Sequence, residues 1–312
     1  MKPFAFVFPG QGSQAVGMLD AWGDHPAVRD TLAEASAALG EDIARLIHDG
    51  PKDALDLTTN TQPVMLTAGI ACWRAWLAEG GDQPDALAGH SLGEFTALVA
   101  AGALSLSDAL PLVRFRAQAM QEAVPVGVGA MAAILGLEAA AVREGCAQAA
   151  AECGEPVEAV NFNDPRQTVI AGTQGAVAKA CERLKAAGAK RALPLPVSAP
   201  FHSSLMKPAA ERLRERLASV ALAAPRIPVV NNIDVLAQDD PAAIREALYR
   251  QAFGPVRWVE VVQALRARGL LHIIECGPGK VLSGMVKRID AEAQSLTLFD
   301  PATLAQAREL LD

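Results

Sequence analysis

The chain is 312 residues long, 51% hydrophobic and 20% charged, with a formal net charge of −7. That length suffices for one large domain, or a large domain and a small one, and the acidic balance excludes nucleic acid as the main partner, since phosphate binding needs a basic surface. The longest apolar stretch, residues 86–104, is broken by His90 and Glu94 and is unsuited to crossing a membrane. The five cysteines, Cys72, Cys146, Cys153, Cys181 and Cys276, have no metal-ligand spacing, so no metal site is expected, and their odd number fits reduced thiols. The apolar run from Met1 to Phe8 is too short, and ended too soon by Pro9-Gly10, to act as a signal peptide; a cytoplasmic location is expected.

Along the chain, short apolar runs alternate with longer amphipathic stretches, the pattern of an α/β fold with helices on both faces of a mostly parallel sheet. The first predicted strand, Phe4 to Phe8, runs into Phe8-Pro9-Gly10-Gln11-Gly12-Ser13-Gln14-Ala15. This loop matches the Gly-x-Gly-x-x-Ala dinucleotide fingerprint, which also needs an acidic residue at the end of the next strand. Asp30 and Glu34 instead fall in a helical stretch. The other use of such a loop is to present backbone N–H groups to an oxyanion.

A helix is predicted over Pro63 to Leu77, a strand over Ala86 to Ala88, and a helix from Leu92 to Ala101 that Gly102 closes. Between that strand and that helix stands Gly89-His90-Ser91-Leu92-Gly93, a Gly-x-Ser-x-Gly elbow. Such a turn pushes the serine hydroxyl into the open, and the following helix aims unpaired N–H groups and a positive dipole end at charge developing there. Ser91 is therefore read as the nucleophile of an acyl-enzyme mechanism, with the N–H groups of Gln11 and Leu92 as oxyanion donors. The plain alternative is a tight glycine turn carrying an inert serine.

The next helix, Ser107 to Val124 with Ser107 as its cap, puts Leu112, Arg116, Ala119, Met120 and Ala123 on one face. Arg116 thus points inward, where a guanidinium requires an anion. That anion is either an internal Asp or Glu or a substrate carboxylate held by two parallel N–H bonds.

Between Gly127 and Pro196 the rhythm becomes strand (Ala130 to Leu135), helix (Glu138 to Ala151), two strands (Val157 to Phe162, Thr168 to Ala171), helix (Gly175 to Ala187) and strand (Arg191 to Leu195). This β-α-β-β-α-β order is the ferredoxin-like unit. Residues 127–196 are expected to form a small subdomain inserted into a large domain of residues 1–126 and 197–312, with joints at Pro125-Val126-Gly127 and Leu195-Pro196-Val197. The large domain resumes with strands at Val229 to Asn231, Ile273 to Glu275 and Leu296 to Leu298.

A serine hydroxyl needs a base to take its proton. His25 and His48 lie in polar helix-like segments, His272 opens a strand, and His90 sits on the elbow facing elsewhere. His202, in Ser198-Ala199-Pro200-Phe201-His202-Ser203-Ser204 where the subdomain rejoins the main domain, is the candidate base, against the reading of an ordinary loop histidine.

Phe8-Pro9-Gly10-Gln11-Gly12-Ser13-Gln14, Gly89-His90-Ser91-Leu92-Gly93-Glu94-Phe95, Phe201-His202-Ser203 and Glu275-Cys276-Gly277-Pro278-Gly279 together, in order from about residue 4 to 290, resemble malonyl-CoA:acyl carrier protein transacylases. The resemblance implies an α/β-hydrolase-like large domain with a mostly parallel sheet and a ferredoxin-like insert. It implies that Ser91 accepts malonyl from the coenzyme A thioester and that His202 is acid and base. It further implies that Gln11 and Leu92 form the oxyanion hole, that Arg116 holds the free carboxylate, and that a carbonyl at Gln251 steadies the histidine, with Asn161 near the substrate. The resemblance also implies that the second acceptor is the phosphopantetheine thiol of acyl carrier protein and that no cofactor is held by the enzyme itself. Phe201 resembles the residue of malonyl-selective members. Phe95, where tyrosine is frequent, and Cys276, where small apolar residues are common, depart slightly from the pattern. Because carrier proteins are acidic, Lys179, Arg183, Lys185, Lys190, Arg191, Lys280, Lys287 and Arg288 are docking candidates, or simply solvated charges. The neighbouring readings are an acyltransferase serving a polyketide synthase and, from a different class, a serine hydrolase or thioesterase; a non-catalytic binding module would leave Ser91, His202 and the glycine loop unexplained.

Overall fold

Along the first strand, large and small side chains alternate, and in the computed structural model, which describes residues 2–197 and 199–312, each set meets its own layer of helices. Met1 and Ser198, the latter in the loop before His202, lie outside the described residues. The described strands are β1 (Phe4–Phe8), β2 (Ala86–Gly89), β3 (Gly129–Leu135), β4 (Val157–Asp164), β5 (Gln167–Thr173), β6 (Arg191–Pro194), β7 (Val229–Val230), β8 (His272–Cys276) and β9 (Thr297–Leu298). Phe4, Phe6 and Phe8 of β1 face a core that includes Trp73 and Trp76 of the helix Thr58–Ala78, with the rings edge to face. Ala5 and Val7 face the opposite core, under Trp258, Val261 and Leu265 of the helix Trp258–Ala267. A strand buried on both faces reads as an unbroken apolar run and belongs at the centre of a parallel sheet. The order is β7-β2-β1-β8-β9, and every pairing in it is parallel.

The second sheet has the order β4-β5-β3-β6 with all pairings antiparallel. With one helix between β3 and β4 and another between β5 and β6, this is the ferredoxin-like arrangement. Its helices, Ala139–Cys153 and Gln174–Ala186, bury Val142, Cys146, Ala180 and Leu184 against one face. The other face carries Met131, Val160 and Val169 toward Leu195, Val197 and Phe201. The edge strand β4 is tied to the large body by Phe162 N–H to Val256 O (2.9 Å), Val256 N–H to Val160 O (2.8 Å) and the Arg288–Asp164 pair (2.7 Å). The two sheets therefore wall a common cleft.

Among the boundaries that differ from the sequence reading, three have a clear local cause. The helix read from Ser107 is Leu106–Glu122, capped by Ser105, whose Oγ accepts from Asp108 N (3.0 Å); burying Leu106 in the core selects the earlier serine. The helix read from Pro63 begins at Thr58. Thr61 Oγ1 donates to Leu55 O (2.7 Å), so a side chain fastens the added turn and Pro63 becomes an interior residue. The strand read as Val229 to Asn231 stops at Val230, because Asn231 and Asn232 spend their polar groups on turns and on the elbow. Among the described residues no helix is long and apolar enough to cross a membrane.

Candidate active site

The chain turns from β2 into the helix Gly93–Ala100 through Ser91, whose φ of 53° lies in the left-handed region that a side chain enters at a cost of about 1–3 kcal/mol. The turn is that sharp because the helix start lies on β1: a Cβ on Gly93 would sit 2.1 Å from Phe8 O. The glycine loop is as close, since a Cβ on Gly10 would sit 2.6 Å from His90 O. Asn232 clasps the elbow, accepting from Ser91 N (2.7 Å) and donating through Nδ2 to Gly89 O (2.7 Å). Neither the loop's approach nor the asparagine clasp has a local sequence signature.

His202 meets the elbow from across the cleft. Ser91 Oγ donates to His202 Nε2 at 2.7 Å, and His202 Nδ1 donates to the backbone oxygen of Gln251 at 2.9 Å. The second bond fixes the tautomer with Nε2 free to accept a proton. Ser204 N–H to Glu158 Oε2 (2.9 Å) and Ser203 Oγ–H to Pro200 O (2.7 Å) hold the histidine loop, and His202 itself has a positive φ of 65°. Burial, and then the charge of Arg116, lower the basicity of His202 from 6.5 to about 3, so the resting imidazole is neutral. Among the described residues no carboxylate orients this histidine; the peptide carbonyl of Gln251 does.

Arg116 is buried beside these two side chains. Its Nη1 donates to Gln62 Oε1 (2.8 Å), and its Nη2 to Gln251 Oε1 (3.1 Å) and Ser91 Oγ (3.2 Å). All three acceptors are neutral, so among the described residues no internal Asp or Glu pairs with it directly. Gln62 escaped the sequence reading because it lies in the helical turn before Pro63. Glu94, also unassigned, is buried at the far side of the Gln251 carboxamide: its Oε2 accepts from Gln251 Nε2 (3.0 Å) and from Asn232 N (2.8 Å). Burial raises the Glu94 carboxyl from 4.5 to about 7 and lowers Arg116 from 12.5 to about 10, and the charge of each opposes the shift of the other.

A cavity of about 670 Å³ opens over Ser91 between the two sheets, lined on one side by Gly10, Gln11 and Leu92 and on the other by Met131, Val169 and Phe201. Among the described residues the backbone N–H groups of Gln11 and Leu92 have no protein acceptor, whereas that of Ser91 is taken. Asn161 reaches the cavity from β4 with a buried Oδ1 that no donor among the described residues meets, and on the same strand Asn163 Oδ1 accepts from His90 Nε2 (2.8 Å), so that His90 turns toward the insert and away from Ser91. The motif Glu275 to Gly279 does not reach the cavity. Glu275 Oε2 accepts from Ser283 N (2.8 Å) to cap the helix Val281–Ile289, and Gly277 packs on Pro9 beneath the glycine loop. Of the basic residues read as docking candidates, Arg183 is paired with Glu152 and Arg288 with Asp164. Among the described residues no cluster of three or more His, Cys, Asp or Glu side chains is placed to hold a metal ion.

Comparison with known proteins gives the family of the whole chain. The acyl transferase domain model matches residues 5–298. The malonyl CoA-acyl carrier protein transacylase of Salmonella typhimurium is 52% identical over 308 residues, covering 98% of this chain and 99% of that protein. The chain belongs to the malonyl-CoA–acyl carrier protein transacylase family. Another relative in that family, from Bacillus subtilis, is 45% identical over 100% of this chain and 98% of its own length. The crystal structure of an acyl-carrier-protein S-malonyltransferase from Burkholderia pseudomallei superposes with a TM-score of 0.97 at 66% identity, over 99% of this chain and 100% of that one. A further structure, of a type II polyketide synthase acyl-carrier protein in complex with its malonyl-transacylase, superposes with a TM-score of 0.97 at 47% identity, over 99% of this chain and 100% of that one.

Proposed function

We infer that this chain transfers malonyl from malonyl-CoA to the phosphopantetheine thiol of acyl carrier protein, with Ser91 as the residue that carries the acyl group. The observation that carries the assignment to Ser91 is the placement of a buried guanidinium, Arg116, 3.2 Å from an Oγ that also meets a neutral imidazole. An esterase has no use for a cation there, whereas a malonyl group brings its second carboxylate to that side of the nucleophile.

In the first half-reaction Ser91 Oγ attacks the thioester carbon as His202 Nε2 takes its proton. The carbonyl oxygen becomes an oxyanion, which the free N–H groups of Gln11 and Leu92 receive. When the C–S bond breaks, His202 returns the proton to the departing thiolate, and coenzyme A leaves. The carrier's thiol then enters, gives its proton to His202, attacks the malonyl ester, and Ser91 is regenerated with that proton. Arg116 holds the malonate carboxylate through its N–H fork throughout. Carboxylate binding also offsets the guanidinium charge that depresses His202, so recognition of malonyl strengthens the base. Gln251 serves by its backbone carbonyl, and the unmet Oδ1 of Asn161 suits an amide N–H of the pantetheine arm.

We assign 127–196 as a subdomain that roofs the cleft and 1–126 with 197–312 as the catalytic body, and place the enzyme in the cytoplasm, which five unpaired cysteines favour. No resident cofactor enters these steps. The test is intact-mass detection of a malonyl adduct on Ser91 and its discharge by holo-acyl carrier protein; release of free malonate in place of discharge to the carrier would mark a hydrolase. Comparing fatty acid and polyketide carriers as acceptors separates the two transacylase roles.

A further inference from the structure

Glu94 has no part in the steps above: its carboxylate touches neither Ser91 Oγ nor His202, and it is buried. A buried carboxylate is costly unless something requires it. Its two bonds define what it does. Accepting from Gln251 Nε2 fixes which way that carboxamide faces, and the oxygen turned away from Glu94 is the one that Arg116 donates to. Gln251 Nε2 also donates to Ser91 O (3.0 Å), so the amide group is fully oriented by acceptors on one side.

We propose that Glu94 is a positioning residue for the dicarboxylate clamp, holding Arg116 aimed by acting through the Gln251 carboxamide and not by pairing with the guanidinium. This inference rests on the malonyl-transfer reading of the site. A direct carboxylate–guanidinium pair would occupy the N–H fork with an internal anion that a substrate carboxylate must displace. A relayed one supplies the countercharge and leaves the fork on neutral acceptors, Gln62, Gln251 and Ser91, which a malonate carboxylate can outcompete. The mutual opposition of charge already described has the same sense, since Glu94 favours the ionised arginine and Arg116 the ionised carboxylate, with Asp234 the other acidic group acting on Glu94. The rival is that Glu94 merely staples Asn232 and the elbow, in which case its loss would harm every acyl group alike.

The experiment measures Ser91 loading from malonyl-CoA and from acetyl-CoA by the full chain, for Glu94→Gln alone and in an Arg116→Ala background. Glutamine keeps an acceptor oxygen and the side-chain volume while removing the charge. We expect the malonyl-to-acetyl ratio of kcat/KM to fall about 10-fold, chiefly through the malonyl-CoA KM, and this selective loss to vanish in the Arg116→Ala background, as coupling through a shared partner demands. Equal losses for both acyl groups, the same loss in both backgrounds, or no loss would overturn the proposal. Should Glu94→Gln not fold, Glu94→Asp, which keeps the charge and withdraws from Gln251, enters the same cycle with a smaller selective loss expected and the same refuting outcomes. A wild-type chain that does not load malonyl would instead remove the transfer reading itself, and that result is visible before any Glu94 variant is made.

Discussion

Replacing Arg116 with alanine removes the cation that meets the nucleophile, and its consequences differ for two acyl groups that share all other chemistry. The guanidinium offers a carboxylate two charge-assisted hydrogen bonds, each worth about 1.5–3 kcal/mol net. Some of that gain is lost in releasing Gln62, Gln251 and Ser91, which hold the fork at 2.8–3.2 Å in the free enzyme. A net of about 3 kcal/mol corresponds to a loss on the order of 100-fold in kcat/KM for malonyl-CoA. Acetyl-CoA has no second carboxylate, and His202 is relieved of the neighbouring charge that helps depress it, so acetyl loading should hold or rise. The variant also removes the positive charge that favours ionised Glu94, so burial drives that carboxyl further up and it takes up a proton; thermal unfolding is therefore followed and loading measured well below the transition. Single-turnover loading of Ser91 from each thioester, read by intact mass, gives both numbers in one assay. If malonyl and acetyl loading decline by the same factor in folded protein, Arg116 supports the site without recognising the substrate, and the argument from the clamp fails.

Three further outcomes follow from the same geometry. Ser91→Ala should abolish the covalent malonyl adduct while the fold persists; an adduct that survives in this variant places the nucleophile elsewhere. Because burial and Arg116 hold His202 down to about 3, its neutral, proton-accepting form persists far below the ordinary imidazole value of 6.5 and is lost only as pH falls through the lower value. Acetyl loading should therefore show no acid inflection near pH 6.5, and one found there would mean an exposed, ordinary histidine acts as base. Gly93→Ala forces a Cβ to within 2.1 Å of Phe8 O, so the elbow must open or the chain must misfold, with a stability loss of about 3 kcal/mol or more; a melting temperature unchanged from wild type would contradict the packing described.

The elements that the sequence made legible are those whose cause is local. Strand β1 is an apolar run because both its faces are covered, and the insert's β-α-β-β-α-β order could be read from alternating periodicities because each of its helices packs on its own small sheet. Ser91 was legible as an elbow residue through the glycines that a strand-to-helix turn demands, and His202 as a residue of the turn-rich loop that follows β6, with a resemblance of motifs pointing to Gln251 and Asn161. The rest depends on residues far apart in the chain. Gln62, Asn232 and Glu94 carry no signature of their own, since a carboxamide or carboxylate acquires its role from the partner facing it, and these partners stand 54, 141 and 157 positions away. The inward direction of Arg116 followed from helical periodicity, but the partner it meets did not: sequence left an internal acid and a substrate anion both open, and tertiary packing put three neutral oxygens on the guanidinium with the carboxylate one residue's width behind them. Periodicity fixes which face is buried; only the meeting of elements decides what each buried polar group finds there.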